Sequence, residues 1–393
     1  MYELKTIDET AGRRYLLLDN YGGIYKITEV LYHMLFSYKS KPDYGLIAVD
    51  MNNLYKTADF TVSFVETSIN STLTKISKKE SSSFTTTNKY IKGKIVVLKE
   101  GQLQAVYKVL SLLFYKKTFT FFSLAALAIT FYFFYAHHLL SFGTIYQSSL
   151  GLMSVTHLVI VYTLFVLIIL VHEIGHASAS YRFGVRPKEI GFGFYFVFPV
   201  FYTNVTDIWA LKKEERNTVN IAGIYFQLLI NVFLIAFFYV DTFKVIVFTL
   251  ILANTISVIT SLIPFFRYDG YWLFSDYFNI PNLQNKARQF IMEMLREPKH
   301  VFRETPKPLI IYSLLNILFW VYVYILLLQY IIANFTILHH SLFSENLMFT
   351  QITFRDIIST VTLIITTYLL LSQILITFKF LYHEPSRIYR TKK

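Results

Sequence analysis

The chain has 393 residues, 54% hydrophobic and 18% aromatic, with a mean hydropathy of +0.45. That is too apolar for an ordinary water-soluble domain and indicates a mainly α-helical, multi-spanning membrane protein. The absence of cysteine excludes disulfides and thiolate zinc ligands, while the net charge of +12 admits two readings, nucleic-acid binding or cytoplasmic membrane faces.

The polar start MYELKTIDETAGRR has no apolar stretch of signal-peptide type. Residues 1–75 read as a small α+β unit. Arg14–Asp19 and Ile24–Thr28 are strand candidates on either side of the turn signal Asn20-Tyr21-Gly22-Gly23. Thr28 is placed to cap a helix whose apolar positions Val30, Leu31, Met34 and Leu35 fall at helical spacing. Residues 76–117 form the connection to the membrane part. They begin with the polar, low-complexity stretch SKKESSSFTTTNK (77–89) and continue with a strand containing KIVVLK. An amphipathic helix then ends at Lys116-Lys117, at the membrane surface.

Residues 118–380 hold six apolar segments long enough to span, near 118–138, 155–176, 221–240, 244–264, 308–333 and 357–378; a basic tail, 381–393, follows. Of the 37 Lys and Arg, all but Lys244 and Arg355 fall on one side of this map. The positive-inside rule then puts both termini in the cytoplasm of a multi-pass cell-membrane protein, in agreement with an even number of spans. Topology accounts for the basic charge, so no nucleic-acid partner is implied; the lipid bilayer is the partner. The sequence does not fix an oligomeric state.

The second segment ends in His172-Glu173-Ile174-Gly175-His176. Residues four apart lie on one helical face, so both imidazoles can reach one ion, with the glutamate beside it as general base of an H-E-x-x-H site. Five letters also match by chance in many proteins. Here they sit in an uncharged helix, where ionisable groups are costly and mark functional sites. Next comes Glu189–Asp207 with the aromatic run IGFGFYFVFPVFY. It is too short to span as a helix and is broken by Gly191, Gly193 and Pro199. It reads as a hairpin or re-entrant segment whose edge can pair with an extended peptide, or equally as an aromatic interfacial anchor.

The fourth segment runs in the same direction as the second and ends at Pro264, followed by Asp269-Gly270. That brings the Asp269 carboxylate to the face that carries His172 and His176. It supplies the third ligand that a two-histidine Zn²⁺ site lacks and leaves one position open. Pro264 stops the helix and Gly270 frees the backbone to aim the aspartate inward. Residues 283–295 put Leu283, Ala287, Phe290, Ile291 and Met294 on one face of a helix expected to lie on the membrane surface. His157, about 22 Å from His172 at helical rise, and His300, His339 and His340 are read as structural or solvated.

On these motifs the chain resembles the site-2 protease family of intramembrane zinc metalloproteases. That family holds H-E-x-x-H on one span and Asp-Gly at the end of a later one, with a proline ahead of the aspartate as at Pro264. Two departures are visible: Ser261 where the family often has Asn, and Gly223-Ile224-Tyr225-Phe226-Gln227 where it often has Gly-Pro-x-x-Asn. Gln227 and Asn231 are therefore the substrate-binding candidates. The stretches FYTNVTDIWALKKEER (201–216) and RYDGYWLFSDYFNIPNL (267–283) resemble a narrower branch, peptide zinc metalloproteases found beside genes for ribosomally made, modified peptides. Residues 1–75 are similar to the small winged-helix-like domain with which peptide-modifying enzymes hold a leader peptide. The resemblance implies hydrolysis of a peptide or membrane-protein substrate, with Zn²⁺ held by His172, His176 and Asp269 and Glu173 moving the proton. Three rivals stand beside it: a regulated protease that releases a membrane-tethered regulator, a non-catalytic peptide exporter or immunity protein, and a membrane H-E-x-x-H enzyme whose third ligand is a glutamate such as Glu293, Glu297 or Glu304.

Overall fold

The computed structural model describes residues 2–9, 12–19, 24–77, 91–137, 155–195, 198–239, 243–295, 298–343 and part of 360–371. It divides into two compact units, Met1–Pro281 and Asn282–Lys393, a boundary that runs inside the expected 118–380 domain.

The first unit opens with a three-stranded antiparallel sheet, β1 (Tyr2–Glu9), β2 (Gly12–Asp19) and β3 (Ile24–Ile27), in the order β1-β2-β3. The first strand was hidden in the polar start, where Tyr2, Leu4 and Thr6 alternate with charged residues. Three helices follow: α1 (Glu29–Ser40), α2 (Tyr44–Tyr55) and α3 (Val62–Ser77). Thr28 caps α1 by accepting from the Leu31 N–H at 3.2 Å, and Asp43 caps α2 in the same way. Leu17, Met34, Leu35, Ile47, Met51, Val65 and Ile69 close one core between the sheet and these helices. The expected turn at 20–23 and most of the 77–89 linker lie outside the described residues.

β4 (Ile91–Lys99) leads to α4 (Gln104–Leu110) and a single 3₁₀ turn, Ser111–Phe114. Lys116-Lys117, expected to end the helix before the membrane, instead begin α5 (Lys116–Ala136). α6 (Val155–Arg182) carries the histidine motif and runs six residues past His176. The motif therefore sits about 9 Å inside the helix rather than at its end. The continuation is Ala177-Ser178-Ala179-Ser180, each of them buried. Such small residues score low on hydropathy yet let helices pack closely.

The aromatic segment folds as the hairpin β5 (Glu189–Tyr195) and β6 (Phe198–Thr203). β4, some 90 residues earlier by number, pairs antiparallel with β5 and gives the order β4-β5-β6. One edge of the hairpin is thus filled by the chain itself. The sheet packs through Ile190 against Tyr107 of α4 and the α6 stripe Leu170, Ile174, Ala177, Tyr181, which repeats at helical spacing.

α7 (Lys213–Phe238) starts eight residues ahead of the expected span. It takes in Arg216 and Asn220, both buried, and is followed by α8 (Lys244–Leu262) and α9 (Asp269–Tyr277). α6 and α7 cross closely. A methyl at Gly175 would stand 2.8 Å from the Ala222 carbonyl oxygen, and one at Gly223 would overlap the His172 ring.

The second unit holds α10 (Leu283–Met294), α11 (Pro298–Glu304) and α12 (Lys307–Phe343). Leu283, Ala287 and Phe290 are buried, so α10 keeps its apolar face inside this unit. α12 has 37 residues rather than the expected 26 or so, about 55 Å at helical rise against a hydrocarbon layer of ~30 Å. Among the described residues five helices are long and apolar enough to cross a membrane, namely α5, α6, α7, α8 and α12 up to Ala333. The expected sixth segment, 357–378, falls largely outside the described residues.

Candidate metal centre

His172 and His176 lie one turn apart on the α6 face turned toward α7, and their Nε2 atoms are 3.2 Å apart. α8 stops at Leu262, and Ile263 is extended, as the residue before a proline prefers. The chain then crosses 263–268 without regular structure and starts α9 at Asp269. Gly270 has an ordinary backbone conformation. What it supplies is room, because a methyl there would collide with the Leu262 carbonyl. The close return over the end of α8 delivers Asp269 to the histidines. Its Oδ2 is 3.2 Å from His172 Nε2 and its Oδ1 is 3.3 Å from His176 Nε2.

The outer nitrogens decide what these inner ones are. His176 Nδ1 lies 2.7 Å from the Val219 backbone carbonyl, which can only accept, so Nδ1 carries the proton. His172 Nδ1 lies 2.9 Å from Gln227 Oε1 and donates likewise. In the neutral rings both Nε2 atoms are then bare lone pairs aimed at a carboxylate. Asp269 Oδ2 is buried without any hydrogen-bond donor. Nε2 lone pairs and carboxylate oxygens massed at 3.2–3.3 Å repel one another unless a cation, either a metal ion or an added ring proton, lies between them. Two imidazoles and a carboxylate, with no thiolate, are the donor set of a catalytic zinc site, and each histidine has the outer-shell acceptor such ligands require. Among the described residues, these three form the group of His, Asp and Glu side chains able to share an ion, their ligand atoms all within 4.8 Å of one another.

Glu173 is buried beside this group and is not part of it. Its Oε2 accepts from the Thr203 hydroxyl at 2.7 Å, and its backbone carbonyl lies 3.0 Å from the same oxygen. Thr203 is the last residue of β6, so the outer strand of the hairpin holds the glutamate. Nothing in the sequence marked Thr203, whose partner lies thirty residues away on another element.

Gln227 and Asn231, the substrate-binding candidates, are both 0% exposed and committed inside the bundle. Gln227 Nε2 donates to Asn254 Oδ1 and Ser257 Oγ, and Asn254 Nδ2 donates to the Gln227 backbone carbonyl and to Asn231 Oδ1. Asn231 Nδ2 reaches Thr255 Oγ1. The polar atoms of Gln227 and Asn231 are taken up by these bonds, and Gln227 joins the network to His172. Asn254 was not singled out in the sequence; it lies in an apolar helix that hydropathy reads only as a span.

A second buried polar cluster lies beside the site. Arg216 Nε pairs with Asp276 Oδ1 at 3.2 Å, Asn220 Nδ2 donates to Asp276 Oδ2 at 2.7 Å, and Arg216 Nη1 donates to the Leu211 carbonyl. Arg14 of β2 donates to the carbonyls of Leu211 and Trp209, which joins the N-terminal sheet to the same loop. Asp276 lies two turns beyond Asp269 on α9, so the cluster fixes the helix that carries Asp269.

The chain is 27% identical over 115 residues to YydH of Bacillus subtilis (strain 168), a protein named provisionally as a peptide zinc metalloprotease. The similar stretch makes up 29% of this chain and spans 45% of that relative, less than half its length. No family model and no solved structure matches the chain.

Proposed function

We propose that the chain is a membrane-embedded, zinc-dependent endopeptidase that cleaves a membrane-associated or ribosomally made, modified peptide near the cytoplasmic face. The observation that carries this reading is the buried meeting of three potential ligand atoms, from His172, His176 and Asp269, within 4.8 Å of one another and next to Glu173, which is not part of the group. The similarity to a relative named as a peptide zinc metalloprotease supports the same class, and the five apolar helices support the membrane setting.

His172, His176 and Asp269 would hold the ion, which supplies Lewis acidity toward water and toward the scissile carbonyl. The remaining work belongs to the chain. Glu173, turned by Thr203, is the group that accepts a proton from the attacking water and returns it to the leaving amine. A helical substrate hides its carbonyls in its own hydrogen bonds. The outer edge of β6 offers an extended segment main-chain partners directly beside Glu173, while β4 fills the other side of the hairpin. The N-terminal unit, with its own core and its Arg14 tie to the loop before α7, is proposed as the place where an upstream part of the peptide docks.

The test uses the full-length detergent-solubilised protein, its metal content measured and candidate peptides supplied with and without chelator. Glu173→Gln is expected to lower cleavage by about 10²–10⁴-fold while zinc stays bound at one per chain. His176→Ala and Asp269→Ala are expected to lose the zinc. Full activity in Glu173→Gln, or zinc retained in both ligand variants, would reject the mechanism. A metal-loaded protein that binds peptide without cutting it would favour an exporter or immunity role.

A further inference from the structure

The two imidazoles are held by unlike partners. The backbone carbonyl of Val219, inside a helix, cannot turn, and so it fixes the tautomer of His176 by itself. His172 faces the side-chain amide of Gln227, which could present either its oxygen or its NH₂ group. Presenting NH₂ would force the proton of His172 onto Nε2 and remove a metal ligand. Something must hold the amide one way round.

The far end of that amide leads to Asn254, another amide with the same ambiguity, and to Ser257, whose hydroxyl donates or accepts as required. Asn254 is fixed because its Nδ2 sits 2.8 Å from the Gln227 backbone carbonyl, an acceptor only. Turning Asn254 over would bring its oxygen against that carbonyl. Asn231 and Thr255 accept the outcome without imposing it, since both adapt. Among the described residues, the anchor of this chain of bonds is therefore a main-chain oxygen of α7, read by Asn254 of α8 and passed through Gln227 to α6.

We propose that Asn254 and Gln227 are positioning residues that set the tautomer of His172, Asn254 orienting the Gln227 amide so that Nε2 of His172 is kept free to ligate. The proposal rests on His172 being a metal ligand, as argued above, and adds the outer residues that make it one. All of Gln227, Asn231 and Asn254 are 0% exposed, so solvent offers no alternative partner that would blur the choice.

The first measurement needs no metal, and a variant only to assign the signal. In metal-free, full-length protein with ¹⁵N-labelled histidine, at a pH where the rings are neutral, the His172 signal (identified by its loss in His172→Gln) should report a proton on Nδ1. A proton on Nε2 would overturn the relay. The second adds Co²⁺ or Zn²⁺ alone to purified protein. Asn254→Leu, with Gln227 left free to turn, should weaken metal binding by about 10–100-fold, the usual cost of losing an outer-shell partner. In the double variant Asn254→Leu with Gln227→Glu, a carboxylate at 227 can only accept, so affinity should return to within about threefold of the parent. A network that merely packs three helices would respond oppositely, because a second change places an unpaired charge in the bundle. Asn254→Leu binding metal as tightly as the parent, or the double variant binding more weakly than the single, would refute the proposal. Absence of metal binding in the parent would instead defeat the zinc reading, and the tautomer measurement would still judge the relay.

Discussion

Glu173 depends on a neighbour that belongs to the hairpin, and this predicts a separable defect. Thr203→Val keeps the shape of the side chain but removes the hydroxyl that donates to Glu173 Oε2. Cleavage should fall by about tenfold, the scale of one lost hydrogen bond to a charged group, with metal content unchanged. Metal loss together with activity would show that Thr203 supports the ligands instead. Gly223 predicts the reverse pattern. A methyl there overlaps the His172 ring, so Gly223→Ala must push the ring or the α6–α7 crossing apart, at about 1–3 kcal/mol of overpacking strain. Weakened zinc binding measured by chelator competition is the expected result; an unchanged affinity would mean the crossing relaxes freely. The grouping of His172, His176 and Asp269 could be read from the sequence, because residues four apart share a helical face and an aspartate soon after a helix-breaking proline stands where a second apolar helix ends. Thr203 and Asn254 could not. Their partners are set by how separate elements pack, which leaves no periodic mark in the sequence. Gly223 was visible only as the glycine of a motif that the following residues depart from, and its use became clear once His172 was found against it.

Elements were legible where hydropathy alone decides them, and their ends were displaced wherever polar or small residues continue a helix. α7 begins at Lys213 because Arg216 and Asn220 satisfy each other's needs around Asp276, which no hydropathy average can anticipate. The pairing of β4 with β5 was equally hidden, since register between distant strands depends on the whole fold. The Asp276 cluster also gives the short helix α9 a dependence on pH. Burial pushes the Asp276 carboxyl up from its ordinary 3.8, and Arg216 and Asn220 offset this only in part. The folded chain therefore holds that proton more tightly than the unfolded chain does. Its contribution is complete below the unfolded value and is lost as pH rises through the higher folded one. Asp276→Asn should remove this part of the decline in a series of thermal-unfolding midpoints taken upward from about pH 4. An unchanged slope would mean that another group titrates there. Removing the arginine is a harsher test of the same pair. Arg216→Met strands a buried carboxylate and should cost about 3–5 kcal/mol, with Asp269 losing its support as α9 loosens.

At the scale of the whole molecule, the proposed function depends on which side of the bilayer the His172, His176 and Asp269 group faces, and the expectation for it comes from charge. On the six-span reading of the sequence, nearly all Lys and Arg gather on one side of the spans, with Lys244 and Arg355 on the other. His176 lies six residues before the end of α6; we propose that this end faces the cytoplasm, as the positive-inside rule expects, so that water and peptide both arrive from that side. The chain itself makes this easy to examine, because it contains no cysteine and any introduced thiol is the sole target. Glu214 and Lys244 are exposed near the starts of α7 and α8, at what the positive-inside rule makes opposite faces. In intact cells an impermeant maleimide should label Lys244→Cys and spare Glu214→Cys, and permeabilising the cells should expose the second. Neither substitution touches the ligands or Glu173, so each variant should keep its zinc and its activity, which confirms that the labelled protein is the working one. The inverse pattern of labelling would turn the site toward the outside. Under the proposed function the chain would then have to act on an exported peptide, and the proposed docking of a leader on the N-terminal sheet before export would no longer be possible.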